Sequence, residues 1–326
     1  MTLLEIKNLS THYFLKNNRV RALDDVSFSI PKGIIYGLAG ESGCGKTTTA
    51  LSIMRMLPKA GRVVKGEINL DGVDLLKLSK EEMRMARWRD VSYVFQYAMN
   101  AFNPVMNIGE QIVEVILAKK DNIDRFAREE AWNRAGELFK VVGLDPDRLT
   151  DYPHEFSGGM QQRAVIAMAL ACDPKLIIAD EPVTALDVIV EKKILGLLES
   201  LRIMYNLSII LITHDLSVIA ESCDQVGIMY AGRLVETGDI TDVYKRSQHP
   251  YTTLLINSFP SILGSSQDEI RPIKGTPPNL ADPPKGCRFH PRCPIAKEKC
   301  KTVDPPLTET NSGHFVACHF AGEYTL

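Results

Sequence analysis

Apolar residues in the first 245 positions form short continuous runs separated by longer segments of helical spacing. Residues 46–57, for example, place their apolar side chains at the intervals of one helix face. Strands that alternate with helices predict an α/β fold with a mostly parallel sheet. The runs that predict buried strands are GIIYGLAG (33–40), VSYVF (91–95), KLIIAD (175–180) and SIILIT (208–213).

Two segments depart from this alternation. Residues 106–145 are charged and poor in strand signals, which predicts a helical lobe inserted at about residues 97–160. Eleven of the 18 prolines fall after position 245. We therefore expect a regular domain over residues 1–245 and an irregular, proline-rich extension over residues 246–326.

Composition narrows the classes of protein. Of the 326 residues, 45% are apolar, which suffices for a sizeable core, and the formal net charge is -2. That balance is not the basic excess of a nucleic-acid-binding protein, so we expect no nucleic-acid partner. The N-terminus lacks the apolar segment of a secretory signal, and no apolar run approaches the roughly 18 residues that span a bilayer. The expected location is cytoplasmic, with docking on a membrane protein left open.

The stretch GESGCGKT matches the phosphate-loop pattern G-x-x-x-x-G-K-[ST] between a predicted strand and a predicted helix. In such a loop, backbone N–H groups and the helix N-terminus face the phosphates. Lys46 is expected to reach the β- and γ-phosphates, and the Thr47 hydroxyl to bind Mg²⁺. The residues assigned to ATP here are Gly40, Glu41, Ser42, Gly43, Cys44, Gly45, Lys46, Thr47 and Thr48.

The strand KLIIAD ends in two carboxylates. Asp180 is expected at the carboxyl edge of the sheet, where it can hold Mg²⁺. Glu181 follows at once and can orient or deprotonate a water in line with the γ-phosphate. Acidic residues often end strands, so this pair alone is weak evidence for a catalytic site. Together with the phosphate loop it is strong evidence.

The stretch FSGGMQQR predicts a second anion-binding site. Ser157, Gly158 and Gly159 precede a predicted helix, and they offer a hydroxyl, bare backbone N–H groups and a helix N-terminus. Because the phosphate loop already supplies this chain's own site, a second such loop suits a nucleotide held by another chain.

These motifs together resemble the ATP-binding subunits of ABC transporters, which are P-loop (RecA-like) α/β ATPases with an inserted helical lobe. The resemblance covers about residues 3–245 and follows the family's motif order. In that family two such domains close head to tail around ATP. The motifs are the phosphate loop, YVFQ with Gln96, FSGGMQQR, LIIADEP, ALD (185–187) and ITHD with His214.

The resemblance implies further roles. Gln96 would contact Mg²⁺ and the attacking water, His214 the γ-phosphate, and Tyr13 the adenine ring. Asp187 would lie at the seam between the two ATPase subunits. With Glu181, this makes Gln96 and His214 the catalytic residues. Signature residues of the other subunit's ATP site would be Ser157, Gly158, Gly159 and Gln161.

Other segments resemble the oligopeptide and dipeptide importer branch of this family, notably NAFNPVMNIGEQIVE, HPYTTLL and PPNLADPPKGCRFHPRCPIAKEKC. This implies a second ATPase subunit, two membrane permease subunits and an extracytoplasmic solute-binding protein. The location implied is the cytoplasmic face of the cell membrane. The transported solute would be a peptide, with a nickel chelate or an oligosaccharide left open.

Two other classes remain as alternatives. One is a soluble ABC-type ATPase of DNA repair or translation, but only about 110 residues separate phosphate loop and signature, and there is one ATPase unit. The other is a nucleotide-binding regulator that does not hydrolyse ATP, which the presence of Glu181 and Ser157 disfavours.

Four of the seven cysteines lie in the last forty residues, at Cys287, Cys293, Cys300 and Cys318. A cytosolic setting favours metal binding or free thiols over disulfides. Four cysteines suit a [4Fe–4S] cluster, and the branch resemblance implies the same. Zinc, with His290 or His314 as a substitute ligand, and free thiols remain alternatives. The predicted role is structural.

Overall fold

The structure is a computed structural model that divides into two compact units. The first unit joins both ends of the chain, Met1–Lys77 and Leu211–Leu326, and the second is Leu78–Ile210. The predicted first residue of the helical lobe, at position 97, and Ala185 of the ALD motif lie outside the described residues. The structure describes residues 1–16, 18–96, 101–119, 125–184, 186–258 and 273–325.

The N-terminal part of the first unit contains an antiparallel four-stranded sheet with the strand order β2-β1-β4-β5. It also contains the fully buried strand β3 and the helix that follows it. The elements are β1 (Thr2–Phe14), β2 (Arg19–Pro31), β3 (Ile35–Ala39), α1 (Lys46–Ile53), β4 (Gly61–Leu70) and β5 (Val73–Asp74).

In the second unit, two helices over residues 108–117 and 125–141 confirm the helical prediction for those parts of residues 106–145, and β6 pairs in parallel with β7. Its last strand, β8, runs across the boundary to the first unit. The elements are α2 (Lys80–Arg89), β6 (Val91–Val94), α3 (Ile108–Leu117), α4 (Arg125–Val141), α5 (Gly158–Ala169), β7 (Leu176–Asp180), α6 (Val188–Tyr205) and β8 (Ser208–Ile212).

The C-terminal part of the first unit extends a second sheet. Its strands follow the order β11-β12-β10-β9-β3, with β3 and β9 parallel and the other pairs antiparallel. The elements are α7 (Leu216–Ser222), β9 (Gln225–Tyr230), β10 (Arg233–Asp239), α8 (Ile240–Lys245), α9 (Pro250–Ile256), α10 (Glu298–Thr302), β11 (Thr308–Asn311) and β12 (His314–Val316).

The four predicted strands are confirmed as β3, β6, β7 and β8, each with all its residues buried. The predicted helix over 46–57 is shorter and ends at Ile53. Arg55 adopts a φ of +49°, which a helix cannot accommodate, and Pro58 follows three residues later. Within the described part of the chain, no helix is both long and apolar enough to cross a membrane.

The C-terminal extension is less irregular than the sequence indicates, because the hairpin β11–β12 adds to the edge of the second sheet. A buried carboxylate holds this hairpin. Glu236 on β10 is 0% exposed and accepts hydrogen bonds from His314 Nε2 at 2.8 Å and from the backbone N–H groups of Gln248 and His249 at 2.8 and 3.0 Å. These donors compensate for burying the charge.

A second contact joins the extension to the N-terminal sheet region. Arg288, in the extension, forms an ion pair with Asp24 and donates to the carbonyl of Ala231. Burial lowers the pKa of Arg288 to about 10, so the guanidinium stays charged at neutral pH. The extension and the N-terminal sheet therefore belong to one folded body although they lie at opposite ends of the sequence.

Candidate active site

The phosphate loop lies between β3 and α1 in the first unit, and its shape depends on glycine. Gly40 and Gly45 adopt φ values of +144° and +112°. A Cβ atom at Gly40 would lie 2.2 Å from the Met229 carbonyl oxygen, and one at Gly45 would lie 2.7 Å from that of Ala22. Only glycine fits both conformations, and the loop delivers the chain into α1 at Lys46.

Lys46 is 7% exposed, and its Nζ donates to the carbonyls of Gly40 at 2.7 Å and Glu41 at 3.3 Å. The backbone of the phosphate loop thus holds the Lys46 ammonium in place. Ser42, Gly43 and Thr47 are exposed at the surface of the loop. Cys44 is buried, and burial raises the pKa of its thiol, so this side chain fills space beneath the loop.

Two more predicted residues lie in the same unit. The Tyr13 hydroxyl lies 3.4 Å from Thr48 Oγ1, which places the aromatic ring beside the first turn of α1. The ring is half-buried and would meet a Cβ atom at Gly61 within 2.9 Å, so its position is well defined by packing. His214 is exposed in the turn between β8 and α7.

The carboxylate pair lies in the second unit, at the end of β7. Asp180 is 3% exposed and accepts a hydrogen bond of 2.7 Å from the Tyr93 hydroxyl on the neighbouring strand β6. Burial, together with the charge of Asp180, raises the pKa of Tyr93, so the phenol remains a donor. The Tyr93 hydroxyl thereby fixes the orientation of the Asp180 carboxyl group at the strand end.

Glu181 adopts a left-handed backbone with φ +47°, which turns its side chain away from the line of β7. Its Oε2 accepts hydrogen bonds from Gln96 Nε2 at 2.7 Å and from Thr184 Oγ1 at 2.9 Å. The structure therefore brings together Gln96 and Glu181, two residues that the sequence assigns to catalysis. Thr184 was not identified from the sequence, although its position three residues after Glu181 offered a weak signal.

The signature loop also lies in the second unit, at the start of α5. Ser157 is the N-cap residue, is exposed, and among the described residues its hydroxyl caps none of the helix N–H groups. A Cβ atom at Gly159 would lie 2.6 Å from Val190 Cγ1, so α6 packs closely against this turn. The hydroxyl and the first helix turn are thus available to an outside group.

Gln161 is arranged differently from the other signature residues. Its side chain is buried, and its Nε2 donates to the carbonyls of Pro153 at 2.7 Å and Phe156 at 3.2 Å. The amide therefore supports the signature loop from inside, instead of sharing the exposed face of Ser157.

Asp187 begins α6 as its N-cap residue. One carboxylate oxygen accepts from the backbone N–H groups of Ile189 and Val190, each at 3.0 Å. The neighbouring Val188 and Ile189 are each 69% exposed. Two adjacent apolar side chains therefore lie in the open at the first turn of α6.

The predicted site residues are thus divided between the two compact units. The phosphate loop, Tyr13 and His214 belong to the first unit. The second unit holds Gln96, Ser157, Gly158, Gly159, Gln161, Asp180, Glu181 and Asp187.

The four C-terminal cysteines line one small cavity of about 10 Å³ in the first unit, together with Phe289, His290, His319 and Phe320. Burial raises the thiol pKa of Cys287 to about 12 and that of Cys293 to about 11. As the described residues stand, no three His, Cys, Asp or Glu side chains are grouped so that they could hold a metal ion. His314, a predicted substitute ligand, instead faces Glu236.

A phosphate loop, a buried strand-end aspartate and a glutamate paired with a glutamine define a P-loop nucleotide-hydrolysing protein. Comparisons with known proteins agree. Residues 23–184 match the family model described as ABC transporter, and residues 235–300 match the one described as oligopeptide/dipeptide transporter, C-terminal region.

The chain is 44% identical to the probable peptide ABC transporter ATP-binding protein y4tR of Sinorhizobium fredii, covering 98% of this chain and 96% of that protein. It is also 44% identical to the oligopeptide transport ATP-binding protein AppD of Bacillus subtilis, covering 97% and 96%. Among solved structures, the ATP-binding cassette MJ0796, dimeric and bound to ADP and Pi, matches with a TM-score of 0.64 and 27% identity, covering 73% of this chain and 98% of that one.

The chain belongs to the family of ABC transporter ATP-binding proteins. The α/β P-loop fold and the ATPase activity expected from the sequence are confirmed by this membership. Its activity is the hydrolysis of ATP as the motor subunit of a transporter.

Proposed function

We propose that this chain powers the uptake of short peptides through two membrane permease subunits. The observation that supports peptides is the match of residues 235–300 to the C-terminal region of oligopeptide and dipeptide transporters, joined to relatives named for peptide transport over nearly the whole chain. Nickel chelates and oligosaccharides are the alternative solutes. The ligand bound by the partner solute-binding protein would distinguish them from peptides.

The proposed chemistry divides among the described side chains. Lys46 and the backbone of residues 40–48 bind the phosphates of ATP, and Tyr13 stacks on the adenine. Thr47, Asp180 and Gln96 hold Mg²⁺, which would neutralise charge on the β- and γ-phosphates. Support for this metal is chemical: a buried carboxylate, an exposed hydroxyl and an amide oxygen are ligands that Mg²⁺ prefers.

Glu181 is the proposed general base. The hydrogen bonds from Gln96 and Thr184 go to the same oxygen, Oε2, so they fix the direction of the carboxylate that is proposed to accept a proton from the attacking water. The left-handed backbone at Glu181 is a strained conformation of the kind found at active sites. His214 is proposed to contact the γ-phosphate.

The signature loop is proposed to serve ATP bound to a second ATPase subunit. The exposed Ser157 hydroxyl and the first turn of α5 support this role, and Val188 and Ile189 beside Asp187 supply apolar surface for the seam. An extracytoplasmic solute-binding protein completes the proposed assembly, which would place this chain on the cytoplasmic face of the membrane.

The isolated chain is expected to hydrolyse ATP slowly, because a complete site needs a phosphate loop and a signature loop from two chains. Adding the second ATPase subunit and the permeases should raise turnover roughly 10²-fold, the scale at which missing transition-state donors act. Steady-state phosphate release before and after reconstitution measures this. High turnover in a preparation that sedimentation shows to be monomeric would contradict the composite site.

The same reconstitution separates the alternatives. A soluble ATPase of DNA repair or translation would not co-purify with a polytopic membrane protein, and a regulator that does not hydrolyse ATP would release no phosphate in the full assembly. Binding of a labelled short peptide to the partner solute-binding protein, followed by its ATP-dependent uptake into vesicles, tests the substrate class.

The four C-terminal cysteines are proposed to bind a [4Fe–4S] cluster of structural function, with Zn²⁺ as the alternative. The proposal is supported by the residue type and by proximity: four cysteines are the donor set that such clusters use, and all four cysteines line one small cavity, although the described side chains are not grouped as metal ligands. The raised pKa values of Cys287 and Cys293 mean that the thiols stay protonated unless a metal displaces the protons.

Anaerobic purification is expected to yield brown protein with about four irons per chain. Cys293→Ser should remove the colour and make the extension easier to cleave by protease, whereas Cys172→Ser, outside the cavity, should change neither. Colourless anaerobic protein, with one zinc per chain or with no metal, would contradict the proposal that the cysteines bind an iron–sulfur cluster.

A further inference from the structure

A side chain of the C-terminal extension reaches the phosphate loop. Arg292 donates from Nη1 to Glu41 Oε2 at 2.6 Å and from Nη2 to Glu41 Oε1 at 2.9 Å. This is a two-pronged pair between a guanidinium and the second residue of the loop. The two residues are 251 positions apart, and both lie in the first unit.

Arg292 is held firmly in this position. Its side chain is 5% exposed, its Nε donates to the carbonyl of Lys274 at 3.0 Å, and its guanidinium lies 5.7 Å from the centre of the Tyr230 ring. A guanidinium is charged at any physiological pH, so Arg292 brings a permanent cation to this position. Because the extension holds Arg292 in place, the position of the extension determines the position of the guanidinium that binds Glu41.

Glu41 is bonded through every polar part of its residue. Its carboxylate meets Arg292, its carbonyl accepts from Lys46 Nζ at 3.3 Å, and its N–H donates to the Tyr251 hydroxyl at 3.0 Å. Tyr251 is fully buried and packs edge-on against Phe289 of the extension. The extension therefore reaches Glu41 in two ways. Arg292 binds the Glu41 carboxylate directly, and Phe289 packs against Tyr251, which accepts the Glu41 N–H.

Electrostatics gives this contact a consequence for ATP. Glu41 is 24% exposed at a loop that must accept several negative phosphate charges. A carboxylate there would repel the phosphates unless a cation neutralises it. Arg292 is that cation, and its fork also fixes the direction of the Glu41 side chain.

We propose that Arg292 is a positioning residue of the nucleotide site: by neutralising and orienting Glu41, it makes the C-terminal extension a determinant of the chain's affinity for ATP. The proposal rests on the proposed assignment of residues 40–48 to the phosphates. It adds a role for the extension that is separate from metal binding.

Arg292→Ala in the full chain is expected to weaken MgATP binding about tenfold, which corresponds to roughly 1.4 kcal/mol. The loss should shrink for MgADP and vanish for adenosine, because adenosine brings no phosphate charge. Titration calorimetry with the three ligands measures this series. Lys297→Ala is the matched control, since it removes an extension cation whose partner is Glu323 and not the loop.

Two further variants separate charge from loosened structure. The double variant Glu41→Gln with Arg292→Ala removes the unpaired carboxylate and should recover MgATP affinity to within about twofold of the parent chain. Arg292→Lys keeps the charge without the fork and should lie between the parent and Arg292→Ala. A double variant as weak as Arg292→Ala, or an equal loss for adenosine, would overturn the proposal.

Lys46→Ala shows whether the site assignment itself fails. Unchanged MgATP affinity in Lys46→Ala would refute the phosphate loop assignment. If Lys46→Ala loses affinity while Arg292→Ala and the parent chain bind MgATP equally, the assignment stands and the positioning role of Arg292 is wrong.

Discussion

Glu181→Gln is expected to lower ATP hydrolysis in the assembled transporter by roughly 10²–10⁴, the usual contribution of a positioned general base. The amide has the shape of the carboxylate and can still accept from Gln96 and Thr184 through its oxygen, so the local fold should be kept. ATP binding should remain near that of the parent chain, and bound ATP should hold the two ATPase subunits closed.

Single-turnover hydrolysis and equilibrium ATP binding, measured on the same preparation, test this expectation. Glu199→Gln, on the exposed face of α6 in the same unit, is the matched control and should hydrolyse ATP normally. Near-normal turnover by the assembled Glu181→Gln transporter would mean that another group activates the water.

Ser157→Arg is expected to reduce turnover of the assembled transporter roughly 10²-fold or more, because a bulky side chain then occupies the place of the partner's phosphates. The Ser157 hydroxyl does not cap α5, so the substitution should leave the helix stable. The chain's own ATP affinity should be unchanged, since the phosphate loop is untouched.

Nucleotide affinity of the isolated subunit and turnover of the assembly must be measured separately for this variant. Ser157→Ala is the matched control, because it removes the hydroxyl without adding bulk, and it should lower turnover less. A large loss of ATP affinity in the isolated Ser157→Arg subunit would show that the signature loop binds ATP within its own chain.

Strands β3, β6, β7 and β8 could be predicted because each is a continuous apolar run that is buried along its whole length. The N-terminal antiparallel sheet could not. Strand β1 pairs with both β2 and β4 through several register shifts, so its buried positions do not alternate strictly. The hairpin β11–β12 escaped notice for a related reason: β11 is exposed along its whole length and has no apolar face.

Site residues were predictable where a motif fixes them to a strand end or a helix start. Glu181 and Gln96 meet because parallel strands β6 and β7 end at the same edge of the sheet. No motif or local spacing predicts the contact between Arg292 and Glu41, because it depends on how the extension packs on the rest of the first unit. The inward direction of Gln161 was likewise invisible in the sequence.

The first unit draws on both ends of the chain, and this has a consequence during synthesis. A ribosome that adds roughly 5–20 residues per second needs about 12–50 s to travel the 251 positions from Glu41 to Arg292. For that interval the nascent phosphate loop has no guanidinium beside Glu41, and Asp24 likewise waits for Arg288. If Arg292 has the proposed role, the newborn chain therefore reaches its full affinity for ATP only after residue 292 has been synthesised.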